Sequence, residues 1–209
     1  MNNLILFLLL LSGIAWTIVY LVSIYIGFKK DTCCMPLWAL ALNICWEFIY
    51  SINGMQDFSI QTIVNIIWAV CDVLIVVTYF RSGKKYLAEK YQDIFLPYSI
   101  AAFISCFIIQ LAFFWHFENK IEAAQYSAFL QNAFMSIMFV IMHYKRDKNE
   151  GQSLCIAVCK WIGTLAPAIQ QGLLQDVNIY ILLTGLLCSV WDIYYIYLLI
   201  IDRKESEGK

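Results

Sequence analysis

Charge is what this chain has little of. Only 14% of its 209 residues are Asp, Glu, Lys or Arg, against 62% hydrophobic, and the mean hydropathy is +0.70. That balance excludes an ordinary soluble domain. The formal net charge is −1, and the basic residues are spread over separate loops, where they read as topology signals and not as a nucleic-acid surface. No basic stretch opens the chain: Met1-Asn2-Asn3 leads straight into an apolar run too long for a signal peptide, with no small-residue cleavage site after it, so a retained first helix is predicted. The last apolar run has no lysine for a retinal, and no internal repeat of the half-transporter kind is visible. Six of the eight cysteines fall inside apolar runs, where a free thiol acts as a small hydrophobe; neither a disulfide nor a metal site is expected. Cys33 and Cys34 lie beside the membrane, within reach of S-acylation.

What the chain has instead is seven long apolar runs, at about 3–27, 35–53, 61–80, 96–115, 123–143, 153–173 and 178–201. Each approaches the roughly 20 residues that cross about 30 Å of hydrocarbon at 1.5 Å per residue. The expected fold is an all-α integral membrane protein, a seven-transmembrane-helix bundle forming a single domain over residues 1–209. Twelve of the fourteen basic residues fall at alternate loops and the tail: Lys29 and Lys30; Arg81, Lys84, Lys85 and Lys90; Lys145, Arg146 and Lys148; Arg203, Lys204 and Lys209. The opposite loops hold only Lys120. By the positive-inside rule the N-terminus is outside and the C-terminus cytoplasmic. Lys160, about two turns from the cytoplasmic start of its helix, is expected to snorkel to the interface and is not counted as a site residue.

The polar residues inside these runs are few and patterned. In the second, Asn43, Glu47 and Tyr50 fall at i, i+4 and i+7 on one stripe, flanked by Trp46. In the third, Asn65, Trp68 and Asp72 fall at i, i+3 and i+7. In the seventh, Trp191-Asp192-Ile193-Tyr194-Tyr195 repeats the order Trp, acid, x, x, Tyr of Trp46 to Tyr50. Charged carboxylates near a bilayer centre cost roughly 2.5–3.5 kcal/mol on insertion scales, so an acid there has a partner, a cavity or a chemical task. Counted from the assumed helix ends, Glu47 lies roughly 9–10 Å, Asp72 roughly 16 Å and Asp192 roughly 20 Å from the outer side. That spread fits an elongated cavity better than one ion site. Gln110, Gln131 beside a Met135, Met138 and Met142 stripe, and a kink at Pro167 complete the interior features.

The Met-Pro…Asn-x-x-Trp-Glu-Phe…Tyr segment from Met35 to Tyr50 and the Trp191-Asp192 pair, in a seven-span chain of this length, resemble the membrane-integrated terpene cyclases of meroterpenoid and indole-diterpene biosynthesis, the paxilline- and pyripyropene-type cyclases. The resemblance implies that Glu47 and Asp192 are the essential acids. It implies proton-triggered cyclisation of a prenyl chain on an aromatic or indole head, often from a terminal epoxide. Asn43, Asn65, Asp72, Trp46, Tyr50, Trp68, Trp191 and Tyr195 are then cavity or supporting residues, the aromatic faces stabilising a carbocation by roughly 0.5–2 kcal/mol each. No cofactor is implied: there is no Asp-Asp-x-x-Asp run to hold magnesium on a diphosphate and no Asp-x-Asp-Asp motif of soluble protonating cyclases. The partners are the bilayer and a lipophilic prenylated substrate, in a bacterial cytoplasmic membrane or a fungal endoplasmic reticulum. A small seven-helix proton-coupled transporter would also bury acids in a bundle; structural interhelical hydrogen bonding would too.

Overall fold

The computed structural model describes residues 3–146 and 149–207; Met1, Asn2, Lys148 and Lys209 of the sequence reading lie outside them. Each apolar run is a helix: α1 (Asn3–Lys30), α2 (Leu37–Gly54), α3 (Ile60–Ser82), α4 (Phe95–His116), α5 (Lys120–Lys145), α6 (Leu154–Ile169) and α7 (Ile179–Glu207). Short 3₁₀ turns at Gly83–Tyr86 and Glu89–Ile94 join α3 to α4. Neighbouring helices close a ring in the order α1, α3, α2, α4, α5, α7, α6 and back to α1, and α2 also packs across the ring on α5. Residues such as Phe7, Leu10, Ile14 and Leu21 of α1, and Ile63, Ile67, Val70 and Val77 of α3, form exposed apolar faces suited to lipid.

Five of the seven helices are, by length and composition, long and apolar enough to cross a membrane. The two that fall short do so for different reasons. Helix α2 has only 18 residues and spends several on Asn43, Glu47, Ser51 and Asn53, because it faces protein on three sides and needs little lipid-compatible surface. Helix α6 has 16 α-helical residues and then continues as a six-residue π segment, Gln170–Gln175. Helix α5, the other partner of the cross-ring contact, is half buried over its most apolar stretch, against 28% for the other four spanning helices.

The change of geometry in α6 begins with Pro167, which has no N–H to give to Gly163. The Ser12 hydroxyl of α1 donates to that carbonyl instead, at 2.7 Å. Gly163 is also where α1 comes nearest, since a Cβ there would lie 2.8 Å from the Trp16 ring. The expected kink thus appears as a hydroxyl-repaired break followed by π winding.

At one end of the ring the loops are fastened together. Arg146 stacks on the Tyr86 ring at 3.8 Å and donates to the Cys33 carbonyl (2.5 Å) and Cys33 Sγ (3.2 Å). Lys85 bridges Glu150 (2.5 Å) and the Asp31 carbonyl (2.8 Å), and Arg81 pairs with Asp31 at 2.7 Å. Gly151 takes φ +74°, and any Cβ there would strike the Cys33 carbonyl oxygen at 2.7 Å. Cys33 and Cys34 are enclosed beneath this layer, and burial pushes the Cys34 thiol up to about 12, so acylation finds no accessible thiolate there. At the other end Lys120 donates to the Phe114 (2.6 Å) and Phe117 (2.7 Å) carbonyls, capping α4, so the one basic residue on that side serves a helix terminus.

Ser12→Ala should leave the Gly163 carbonyl without a donor and lower stability by about 1–3 kcal/mol, read from thermal unfolding in detergent. Adding Pro167→Ala to Ser12→Ala restores an N–H at the right place and should recover most of that loss. Gly163→Leu, which displaces Trp16, should be worse than either.

Candidate active site

The stripes read from the sequence meet at one residue, Asn43, at the middle of α2. Its Nδ2 donates to Asp72 Oδ2 of α3 at 2.8 Å and to the Tyr20 hydroxyl of α1 at 2.6 Å. Its Oδ1 accepts from Gln131 Nε2 of α5 at 3.3 Å. Gln131 Oε1 in turn accepts from Gln110 Nε2 of α4 at 2.8 Å. One turn along α2, Glu47 Oε1 accepts from the Tyr20 hydroxyl at 3.4 Å. Five helices therefore converge on one polar cluster whose members are all buried, Asp72 completely. The depth count agrees with this: Asp72 bonds at the level of Asn43, four residues and about 6 Å along the helix from Glu47.

Two features set this cluster apart. Among the described residues both of its acids are bonded only by neutral groups, an amide and a phenol, and no cation is paired with either. Glu47 Oε2 and Asp72 Oδ1 are buried with no hydrogen-bond partner among the described residues. The Tyr20 ring is flanked by Trp68 (centroids 5.9 Å) and Trp16 (6.4 Å), so π faces stand beside the carboxyl groups.

Asp192 belongs to a second cluster. Both of its oxygens accept from Lys160 Nζ of α6, at 2.8 and 3.0 Å, and the same ammonium donates to Ser136 Oγ of α5 at 2.6 Å. The Ser136 hydroxyl in turn donates a hydrogen bond to the Asn132 backbone carbonyl at 2.9 Å. Lys160 and Asp192 are each 1% exposed. The expectation that Lys160 snorkels is therefore wrong: at this depth its counter-charge is inside the bundle, and a buried ammonium turns to the acid rather than to the interface. Among the described residues no hydrogen bond joins the Glu47 and Asp192 clusters.

The remaining sequence-predicted site residues are dispersed. Asn65 is buried and accepts from Gln61 at 2.7 Å, within its own helix. Trp46 donates to the Ala124 carbonyl (3.0 Å) and packs on Tyr50 (centroids 4.9 Å), away from the Asn43 hub. Tyr195 is buried but donates to Gln152 Oε1 at 3.0 Å, toward the fastened loops. Trp191 lines a lipid-facing groove of about 500 Å³ between α5 and α7 with Val140, Tyr144, Val190 and Tyr194. The sequence reading passed over Tyr20, Ser136 and Lys160 as functional residues. For Tyr20 the available signal was the Trp16-Tyr20 spacing of i, i+4 on α1. For Lys160 it was a charge about two turns deep with no counter-charge on its own helix. Among the described residues no group of three or more His, Cys, Asp or Glu is placed to hold a metal ion.

The chain is 28% identical over 164 residues to the Pyr4-family terpene cyclase mfmH of Annulohypoxylon moriforme, a match covering 76% of this chain and 66%, just under two thirds, of that relative. It is 24% identical over 216 aligned residues to the terpene cyclase pyr4 of Aspergillus fumigatus, covering 96% of this chain and 88% of the relative. Terpene cyclase andB of Emericella variicolor is 23% identical over 168 residues, 78% of this chain and 70% of its own length. No solved structure matches the chain. The family of Pyr4-like transmembrane terpene cyclases matches residues 1–201, nearly the whole helical ring together with both acid clusters, and the chain belongs to that family.

Proposed function

We propose that this protein is a membrane-embedded terpene cyclase that closes rings on the prenyl chain of a meroterpenoid or indole terpenoid, beginning with protonation of a terminal epoxide or olefin and using no metal. In this reading all seven helices cross the bilayer as one domain, N-terminus outside and C-terminus cytoplasmic, in a fungal endoplasmic reticulum or a bacterial cytoplasmic membrane. The observation that carries the reading is the buried Glu47–Asp72 site, with no cation and one unpartnered oxygen on each acid. Removing a carboxylate from water without a counter-ion is so costly that such a group holds its proton instead. A proton held in a dry apolar site is what an epoxide oxygen or an olefin carbon needs.

The chemistry follows in order. Glu47, supported by Tyr20 and by Asn43 between it and Asp72, gives its proton to the epoxide oxygen. The C–O bond opens as the neighbouring double bond attacks the carbon, and each new C–C bond passes positive charge to the next double bond. Trp68, Trp16 and Tyr20 present π faces to that charge. Loss of a proton from the last cation to a carboxylate ends the sequence, and Glu47 and Asp192 act jointly over the cycle. The lack of a diphosphate-binding Asp-rich motif in the sequence supports protonation over diphosphate ionisation.

Membranes containing the protein would be supplied with a prenylated aromatic carrying a terminal epoxide. Glu47→Gln should lower conversion by about 10²–10⁴-fold, the usual worth of a general acid. Tyr20→Phe removes one hydrogen bond to Glu47 and should lower it by about tenfold. Unchanged conversion by both Glu47→Gln and Asp192→Asn would sink the assignment. A wild type that converts no member of a broad substrate panel but moves a solute across liposomes would replace it with transport.

A further inference from the structure

We infer that Lys160 is a positioning residue of this reaction: it fixes Asp192 as an ionised carboxylate, so the starting proton comes from the Glu47–Asp72 site, Asp192 is the counter-charge and final proton acceptor, and between turnovers Asp192 gives that proton to water while Glu47 takes one from water. The inference rests on the cyclase reading above and divides between two sites the roles that reading gives to the acids jointly.

The geometry is that of a closed ion pair. Lys160 Nζ reaches both Asp192 oxygens, at 2.8 and 3.0 Å, and gives its third proton to Ser136. Lys160, Asp192 and Ser136 leave no buried polar side-chain atom unpartnered, whereas Glu47 and Asp72 leave one oxygen each. A carboxyl proton on Asp192 would remove the charge that strengthens both ammonium contacts. Among the described residues, the other titratable side chains facing Asp192 are Cys188 and Tyr195 of its own helix; α5 contributes the non-titrating Ser136, and Lys160 is the cation paired with it.

Bracing alone is a poor reason for such a pair. Buried ion pairs replaced by apolar side chains of similar volume are commonly neutral or stabilising, and in a bilayer an apolar brace between α6 and α7 would insert more readily. A fixed negative charge on a helix wall, by contrast, is what a travelling carbocation calls for, and it is most useful when already ionised before the substrate arrives.

The test compares Lys160→Arg, Lys160→Met, Asp192→Asn and the Lys160→Met/Asp192→Asn double variant. Turnover of the epoxide substrate, thermal unfolding in detergent and infrared carboxyl bands are measured for each. Lys160→Met should cut kcat by about 10²–10³-fold, the usual worth of a preorganised electrostatic group. Lys160→Arg, which keeps the charge, should stay within about tenfold of wild type. The double variant should unfold like wild type yet remain inactive, which separates charge from bracing even where Lys160→Met folds poorly. The wild-type minus Asp192→Asn infrared difference should show an ionised carboxylate, and Lys160→Met should gain a protonated carboxyl band. A protonated Asp192 in wild type overturns the inference. So does undiminished turnover by Lys160→Met, expected if Asp192 were the donor, or by the double variant, expected of a brace. An ionised Asp192 in a wild type that converts no prenylated substrate would instead overturn the cyclase reading on which the inference stands.

Discussion

Lipid offers no hydrogen bonds, and that constraint bears on every polar side chain placed inside the bundle. An amide or carboxyl group facing hydrocarbon costs several kcal/mol, so the interior must satisfy its own donors and acceptors. Asn43 answers this for the middle of the bundle. Both protons and the oxygen of its side chain are used, and the three bonds reach α1, α3 and α5. Polar pairs within membranes average only about 0.6 kcal/mol, so the cluster adds little stability for each contact. Its effect is on registry: a slip of any of these helices by one residue would leave a buried group unpaired, and leaving it so is far costlier than the bond is favourable.

The same constraint explains why α2 is short and polar while its neighbours are long and apolar. A helix packed against α3, α4 and α5 is mostly enclosed by protein, with Phe48 and Ile52 left exposed, so its enclosed faces are free to carry Asn, Glu and Ser. Helix α6 meets the constraint differently. Pro167 takes a donor away, and the fold returns one from Ser12 on the adjacent helix, which makes the α1–α6 contact part of the backbone hydrogen bonding of α6. At the loop ends the basic charges are also used locally: Arg81, Lys85 and Arg146 each have an acid, carbonyl or ring partner.

Helical periodicity made the Asn43, Glu47 and Asp72 cluster legible in the sequence, because spacing fixes which residues share a face and few faces in this chain are polar. The seven helices were legible from apolar run length, and the family from the Trp46-Glu47 and Trp191-Asp192 motifs. What spacing does not fix is which faces meet. Tyr20 sits in a helix without an interior charge, and only the closure of the ring through α3 and α6 places its hydroxyl between Asn43 and Glu47. Lys160 was misread because its depth alone, about 10 Å from the start of its helix, allows a long side chain to reach water. Asp192 lies about 13 Å from that same side, so matching depths across helices would have paired the two.

The repeated order Trp, acid, x, x, Tyr suggests two equivalent acids, and the structure gives them unlike surroundings. Glu47 and Asp72 meet neutral donors, while Asp192 meets an ammonium. The total charge of the interior makes this unequal treatment the economical one. Three acids and one lysine are buried in these two clusters, and a single ion pair plus two protonated carboxyl groups leaves no net charge in either. Any arrangement with Lys160 shared between the clusters would strand a carboxylate in hydrocarbon. The bundle therefore places acids with neutral partners and an acid with a cationic partner on different helices, the division of surroundings on which the proposed roles of proton source and counter-charge rest.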